Sequence, residues 1–502
     1  MRDHQPIVID EFHGLWKRGH PDDVPLDHFQ DCLNVKFDPG NNVLTRDGIG
    51  ISQDVAVPLA NVKRIYNYST LTGNGLLVLT YSAGTGKIYH VASSTTVYGP
   101  LLTIAGMTDF AFVSYAGRAY ISPFSAFTTG DLTIDKGLSG EFLYVYAGDG
   151  TAARKAAGSA MSGALAVANG AAGHTDPGIH LFGFVRETIS GYLSAPGQLT
   201  QFTTAAASSV SFGTVQATGS PLIVKRHLVA TKVITPPFDG DLNNQVYYFV
   251  PGATINNDTD AFLNNISFYD ADLIEDASHL SDNYSEIPAG AVLSLYRSRL
   301  VLFSTYTDIS TGLVSAPGEP EAISQIDGLI TFPPDGNPVT NAQELRDVLY
   351  VMKRARTVSF TDTGDAPSAW PMILVDNALG TCVHGVSTVL DSGSSSVDYL
   401  IICTYQGISI FNGKYATPEL SWKIESYWKE LDRDLFNRIQ VVNAPIQKEI
   451  YVVLPTGDVL VGNYSNGFDR MKMKWTPWRF PVEVNTVSIH NIDEIVLGAS
   501  GL

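Results

Sequence analysis

Six times along this chain the same phrase returns: a short run of alternating or β-branched residues, a tight turn of Gly or polar residues, then an apolar strand carrying an aromatic. The copies are LLVLTYSAGTGKIYHV (Leu76 to Val91), DFAFVSYAGRAYIS (Asp109 to Ser122), AVLSLYRSRLVLFS (Ala291 to Ser304), DVLYVMKRARTVSF (Asp347 to Phe360), DYLIICTYQGISIFNG (Asp398 to Gly413) and KEIYVVLPTGDVLVGNY (Lys448 to Tyr464). Side chains alternate across a strand, so such runs specify hairpins, and almost no segment keeps a helical period. Small hairpin sheets have two faces and open edges to cover. Repetition about an axis covers them, because each sheet is buried by its neighbours, and the units recur at the roughly 40–50 residues of propeller blades once one insertion is set aside. The fold class expected is all-β, with a β-propeller-like body of about six blades; several stacked β-sandwiches are the alternative use of the same hairpins.

The insertion separates the second and third phrases. It opens on the Ala/Gly/Ser-rich TAARKAAGSAMSGALAVANGAAGHTDPG, a flexible lead-in. Strand-like runs follow at Ile179 to Glu187, Ser209 to Val215, Leu222 to Val233 and Gln245 to Val250, at the intervals of an immunoglobulin or fibronectin type III-like sandwich. The expected organisation is an N-terminal arm and first strand (1–60), propeller blades (61–158), an inserted β-sandwich (159–275) and further blades (276–502).

Composition narrows the function classes. A chain of 502 residues exceeds one compact core. With Lys plus Arg at 32 against 50 Asp plus Glu, the net charge of −18 disfavours a tight grip on phosphate backbones. Cys32, Cys382 and Cys403 lack any CxxC spacing and read as reduced, buried thiols. The N-terminus MRDHQPIVID has no apolar h-region, and no run approaches the ~18 apolar residues of a membrane span.

Candidate chemistry is sparse. His13, His20 and His28 stand among Asp10, Glu11, Asp22, Asp23, Asp27, Asp31 and Cys32, but without metal-site spacing and with Pro21 and Pro25 breaking any helix. GxSxG and P-loop patterns are absent, and Gly84-Thr85-Gly86-Lys87 is a hairpin turn. Trp422, Trp428, Trp475 and Trp478 suit sheet packing better than sugar stacking. No catalytic, cofactor-binding or metal-binding residue is assigned, and an enzyme is not expected. Two features suit contacts with partners. Phe12, Leu15 and Trp16 are spaced anchors on an arm too polar to fold alone, which docks either on a neighbouring subunit or in cis. Lys353, Arg354 and Arg356 form the strongest basic patch in an acidic chain, a candidate contact for DNA or an acidic neighbour, with a solvated hairpin tip as the plainer reading.

The arm's Gly14-Leu15, Pro25, Asn34-Val35, Phe37, Leu44, Arg46 and Gly48, the turn Ser315-Ala316-Pro317-Gly318-Glu319-Pro320-Glu321, Gly380-Thr381-Cys382, Gly407-Ile408 to Phe411, and the ending Lys474-Trp475-Thr476-Pro477-Trp478 come in an order that resembles the tail nozzle or tail hub proteins of short-tailed bacteriophages. The resemblance implies a structural virion protein, made in the host cytoplasm and located in the phage tail. Its partners would be copies of itself in a ring, by resemblance a hexamer, a tail adaptor, tail fibre or needle proteins, and genomic DNA in transit, with no membrane span and no cofactor. The alternative function is a carbohydrate-acting or carbohydrate-binding β-propeller.

Overall fold

A computed structural model describes residues 61–69, 74–129, 132–157, 165–194, 196–235, 245–275, 286–324, 327–332, 336–390, 397–414, 420–491 and 493–500, with 277, 284 and 416, and, nearer the N-terminus, 12, 14–18, 24–25, 28–37, 42–46 and 59. Each repeated phrase is the hairpin of a small antiparallel sheet. Blade 1 holds Val62–Ser69, Asn74–Ser82, Thr85–Val91 and Val97–Ala105. Blade 2 holds Asp109–Tyr115, Arg118–Thr129, Tyr144–Tyr146 and Arg154–Lys155, with Leu132–Gly137 also paired to its long second strand. Blade 3 is Gly290–Tyr296, Arg299–Thr305, Thr311–Ala316 and Glu319–Ile323, and blade 4 is Val339–Leu345, Val348–Lys353, Thr357–Phe360 and Met372–Asp376. Blade 5 is Val386–Leu390, Val397–Thr404 and Gly407–Phe411; blade 6 is Gln440–Ala444, Glu449–Val453, Val459–Asn463 and Lys474–Trp478.

The C-terminal hairpin Glu483–His490 and Glu494–Ser500 completes the ring as a two-stranded blade 7, packed between blade 6 and the first strand of blade 1. The β-propeller expected from sequence is therefore present, with one small blade beyond the six repeated phrases. Energetically the ring is a series of seven apolar joints. Blades 1 and 2 share Leu79, Ile88, Phe110 and Ile121; blades 2 and 3, Tyr120, Val145, Leu293 and Leu302. Blades 3 and 4 share Val301, Phe303, Val351 and Phe360; blades 4 and 5, Met352, Leu400 and Phe411. Blades 5 and 6 meet at Ile401, Ile410, Val452 and Trp475, blades 6 and 7 at Tyr451, Val461 and Val487, and blades 7 and 1 at Val496, Ile65 and Val78. Because both faces of a blade are covered, its central strands are nearly continuous hydrophobic runs.

Polar side chains stitch the same joints near the axis. The Ser122 hydroxyl donates to Gly290 O at 2.6 Å, Ser304 to Val339 O at 2.6 Å, and the Asn341 amide to Val383 O at 2.6 Å. The Gln440 amide imitates a missing strand, donating to Val487 O and accepting from Val487 N. Ile65 N donates to the Thr486 hydroxyl across the closing joint. These bonds satisfy backbone groups that no ladder reaches.

Tight turns set the hairpin registers. Ala83-Gly84 (φ 49°, 79°) and Ala116-Gly117 (φ 49°, 74°) take the left-handed pair that suits strand twist. Blades 3 and 4 build the same turn without glycine, from Arg297-Ser298 (φ 44°, 61°) and Arg346-Asp347 (φ 52°, 62°). Between blades 2 and 3 lies a two-sheet sandwich: Val167–Ala172, Ser208–Val215 and Ala261–Ile266 face Gly197–Thr204, Gly178–Thr188, Ile223–Ala230 and Tyr248–Ile255 over Phe182, Phe184, Phe212 and Leu228. At its foot Glu321, fully buried, ties blade 3 to the end of blade 2 by accepting a bidentate pair from Arg154 (2.7 and 2.8 Å) and a bond from Ala157 N (2.7 Å), and Arg186 of the sandwich donates to Ala157 O at 3.4 Å. Among the described residues no helix is long and apolar enough to cross a membrane.

Candidate functional site

The first strand of every blade faces the axis, and together they wall a cavity of about 260 Å³ lined by Tyr66, Phe112, Val292, Gln343, Val386, Val441 and Val487 among others. Its wall is mixed, with Ile65, Val292, Val386, Val441 and Val487 alternating with polar Asn341, Gln343, Gln440 and Ser488. Charged groups gather near the starts of the first strands, beside Tyr66 and His384 of the wall.

There Asp109, the first residue of its strand, is held from both sides. Its Oδ1 accepts from Arg64 Nε (3.0 Å) and Phe110 N (2.8 Å), and its Oδ2 from Arg64 Nη2 (2.6 Å) and His384 Nε2 (2.9 Å). Burial pushes this carboxyl up, but the Arg64 guanidinium and His384 outweigh it and hold Asp109 well below the usual carboxylate range. Burial and the nearby Arg64 push His384 down, against the pull of Asp109. The neutral ring fits its bonds: Nε2 donates to Asp109, and Nδ1 lies 3.2 Å from the Tyr66 hydroxyl, whose one proton it shares with Phe110 O at 3.2 Å. Arg64 is 4% exposed, and its Nη1 is buried without a hydrogen-bond partner.

A second carboxyl behaves oppositely. Asp135 accepts from the Asn437 amide at 3.3 Å, and burial, reinforced by the charge of Asp109, pushes it up to about 7. Arg354 reaches the same place, donating from Nη2 to Thr133 O at 2.8 Å and bonding Tyr405, whose ring stacks on Phe436 at 4.0 Å. The mouth of the axial cavity thus carries one ionised, saturated carboxylate and one carboxyl poised near neutrality, with amide, guanidinium and phenol groups around them.

The residues singled out from sequence fall elsewhere or serve differently. Leu15 is fully buried in the core shared by blades 5 and 6, and Leu15 N donates to Trp475 O at 3.1 Å. Gly14 (φ 87°) permits this approach, since a Cβ would sit 3.0 Å from Lys474 Cα. Phe12 stacks on Phe29 at 4.6 Å, and Trp16 meets Trp422 edge-on at 5.1 Å. The anchors dock in cis, so Leu15 is not offered to a neighbouring subunit. The basic patch is not a solvated tip: Lys353 is buried with its Nζ 5.1 Å from the Phe332 ring, and Arg354 points to the axial mouth. Arg356 is half-buried, and its carbonyl accepts from Lys353 N. Trp475 and Trp428 are packing residues whose indoles donate to Leu420 O and Thr404 O. His13, His20, Asp10, Glu11, Asp22, Asp23 and Asp27 lie outside the described residues, among which no cluster of metal-ligating side chains occurs. Sequence reasoning missed Arg64, Asp109, Asp135, His384 and Asn437; the one available signal was a charged residue opening the otherwise apolar phrase DFAFVSY.

No protein-family model matches the chain, and no curated protein does. Solved structures similar to it include apo AztD from Citrobacter koseri (10% identity, 88% of this chain and 90% of that one, TM-score 0.34). BamB from Moraxella catarrhalis is another (11% identity, 64% and 91%, TM-score 0.26), as is the C-terminal WD40 domain of Sif2 (9% identity, 90% and 97%, TM-score 0.34). None of these is a tail protein, so the expectation of a structural tail nozzle or hub forming a genome-ejection channel is corrected. Of the residues expected to meet partners, Leu15 packs inside the core of blades 5 and 6 and Lys353 is buried, while Phe12, Trp16, Arg354 and Arg356 are half-buried.

Proposed function

We propose that this chain is a ligand-binding β-propeller whose axial mouth takes a carbohydrate unit and does not hydrolyse it. The supporting observation is the convergence of Asp135, Asn437, Arg354 and Tyr405, from four different parts of the ring, on one rim beside an axial cavity. Sugar hydroxyls each donate and accept, and this set offers both, while the half-buried Tyr405 ring, backed by the buried Phe436, supplies an apolar face. A cavity of about 260 Å³ lies just below the ~300–1,000 Å³ of drug-sized sites, which favours a single sugar unit over a chain.

Binding without cleavage follows from the hydrogen bonds of Asp109. Glycosidases of the usual kind need two carboxyls free to act on opposite sides of a glycosidic bond. Asp109 already accepts four hydrogen bonds and is held ionised, leaving Asp135 as one carboxyl without a working partner. Isothermal titration of the full chain with glucose, galactose, mannose and N-acetylglucosamine tests the reading. At least one is expected to bind, Tyr405→Ala to weaken it about tenfold or more, and aryl glycosides of the same sugars to remain intact. Failure of every sugar to bind, or unchanged affinity in the variant, refutes it.

A further inference from the structure

The strands Arg118–Thr129 and Leu132–Gly137 form a hairpin longer than its blade requires, paired in register from Phe124↔Gly137 to Thr129↔Leu132. It rises from blade 2 yet touches parts of the ring that are not neighbours of blade 2. Thr133 O accepts from Arg354 of blade 4, and Asp135 accepts from Asn437, just ahead of blade 6. Blades 2 and 6 are separated by blades 1 and 7 on one side and by three blades on the other. A segment of blade 2 therefore reaches Asn437 only by crossing the axial mouth. At its base Phe124 stacks on His384 at 6.0 Å, and Gly137 lies so close to the Ala289 carbonyl that a Cβ would collide with it.

We propose that this hairpin is a lid on the axial site, and that lifting it presents the Arg64 Nη1 group to an acceptor oxygen of the ligand. The inference rests on the axial binding reading and names its gate and one further binding residue. Arg64 Nη1 is sealed from solvent and bonded to nothing, an arrangement that costs free energy while the lid is down. Its other nitrogens are committed to Asp109, so the guanidinium is already aimed and needs no reorganisation to receive a ligand.

Protonation of Asp135 sets the balance between closed and open. The charged and titratable groups facing it are Asp109 and Arg64 from blades 2 and 1, Arg354 from blade 4, and Cys382 and Tyr405 around blade 5. Its sequence neighbour Lys136 turns away, with Nζ 4.2 Å from the Tyr306 ring. Closed, Asp135 favours its protonated form, with a value raised from 3.8 to about 7. Closure is therefore fully supported below the ordinary carboxyl range and weakens as pH rises through about 7, when an ionised Asp135 must share the buried mouth with Asp109.

Hydrogen exchange of the full-length protein, which needs no ligand, tests the lid. At pH 8, Asp135→Asn keeps an acceptor for Asn437 but carries no charge, so amides 124–127 and 133–137 should exchange about tenfold more slowly than in wild type, while amides of blade 5 do not change. Asn437→Ala should speed exchange of the same amides at both pH 6 and pH 8. Phenylglyoxal labelling at pH 8, read by mass spectrometry, should modify Arg64 in wild type and in Asn437→Ala but spare it in Asp135→Asn. Equal lid exchange in wild type and Asp135→Asn, or Arg64 labelling independent of the variant, overturns the proposal. A positive lid result with no sugar bound leaves the lid standing and removes the carbohydrate reading.

Discussion

Replacing Asp109 by Asn probes the cluster on which the axial mouth is built. In the wild type four donors converge on the Asp109 oxygens at 2.6 to 3.0 Å, and among the described residues Arg64, 4% exposed, has no other carboxylate in contact. The Asn oxygen keeps the bonds from Arg64 Nε and Phe110 N, but its amide nitrogen faces Arg64 Nη2 and His384 Nε2, donor against donor. His384 can exchange tautomers; the guanidinium cannot, and stays buried with an uncompensated charge. Breaking such a pair costs about 3–5 kcal/mol. For a chain of 502 residues, an unfolding entropy of ~2.1 cal/mol/K per residue converts 4 kcal/mol to a drop of roughly 4 °C in Tm if the ring melts as one unit. Calorimetry at pH 7 gives the Tm, and urea unfolding followed by tryptophan fluorescence gives the free energy. The variant should also lose part of the acid sensitivity: Asp109 is depressed when folded, so its contribution is present above the ordinary value of 3.8 and disappears as pH falls toward the folded value. A change within about 0.5 kcal/mol, the size of a neutral surface substitution, would refute the claim that Asp109 holds a buried charge.

Asp135 should show the opposite sign. A rise from 3.8 to about 7 sets an upper bound of ~4 kcal/mol lost between those values, and on the order of 1–2 kcal/mol for a group that keeps some solvent contact. Asp135→Asn should thus raise the Tm at pH 8 and leave it nearly unchanged at pH 4, as a melt series across pH will show. Leu15→Ala removes a fully buried side chain from the core between blades 5 and 6 and should cost about 2–5 kcal/mol in urea unfolding; no loss would mean that the arm is not part of the cooperative unit. Ser298→Gly relieves a left-handed φ of 61° in the blade 3 turn and should stabilise by a few tenths to ~1 kcal/mol, measured by the same unfolding curves.

The propeller was legible because its information is local. In LLVLTYSAGTGKIYHV the short apolar runs and the Ala-Gly pair specify both strands and the turn, and the joints between blades need only that every blade be apolar on both faces. Blade 7 was harder to see, since between Val484 and Val487 stand two polar residues, Asn485 and Thr486, whose side chains bond blade 1 instead of filling a core, and the register shifts there. The lid hairpin escaped for a related reason: SPFSAFTTGDLTIDKG has strand grammar but is too polar to announce what it packs against. The mouth was not legible at all. Arg64 meets Asp109 across 45 positions and His384 meets Asp109 across 275, and only closure of the ring brings them together. The basic patch misled because charge alone does not say which side chains point outward: Lys353 is buried with its ammonium over the Phe332 ring, and Arg354 turns to the axial mouth.

The most direct test of the axial site is a crystal structure of the full chain with the best-binding monosaccharide at saturating concentration. The account predicts one sugar at the mouth, its ring against Tyr405 and its hydroxyls on Asp135, Asn437 and Arg354, with Arg64 Nη1 bonded to a ligand oxygen and the Phe124–Gly137 hairpin displaced. A sugar seated on the inserted sandwich or the outer face of a blade, with the mouth closed over an unchanged Arg64, would contradict it.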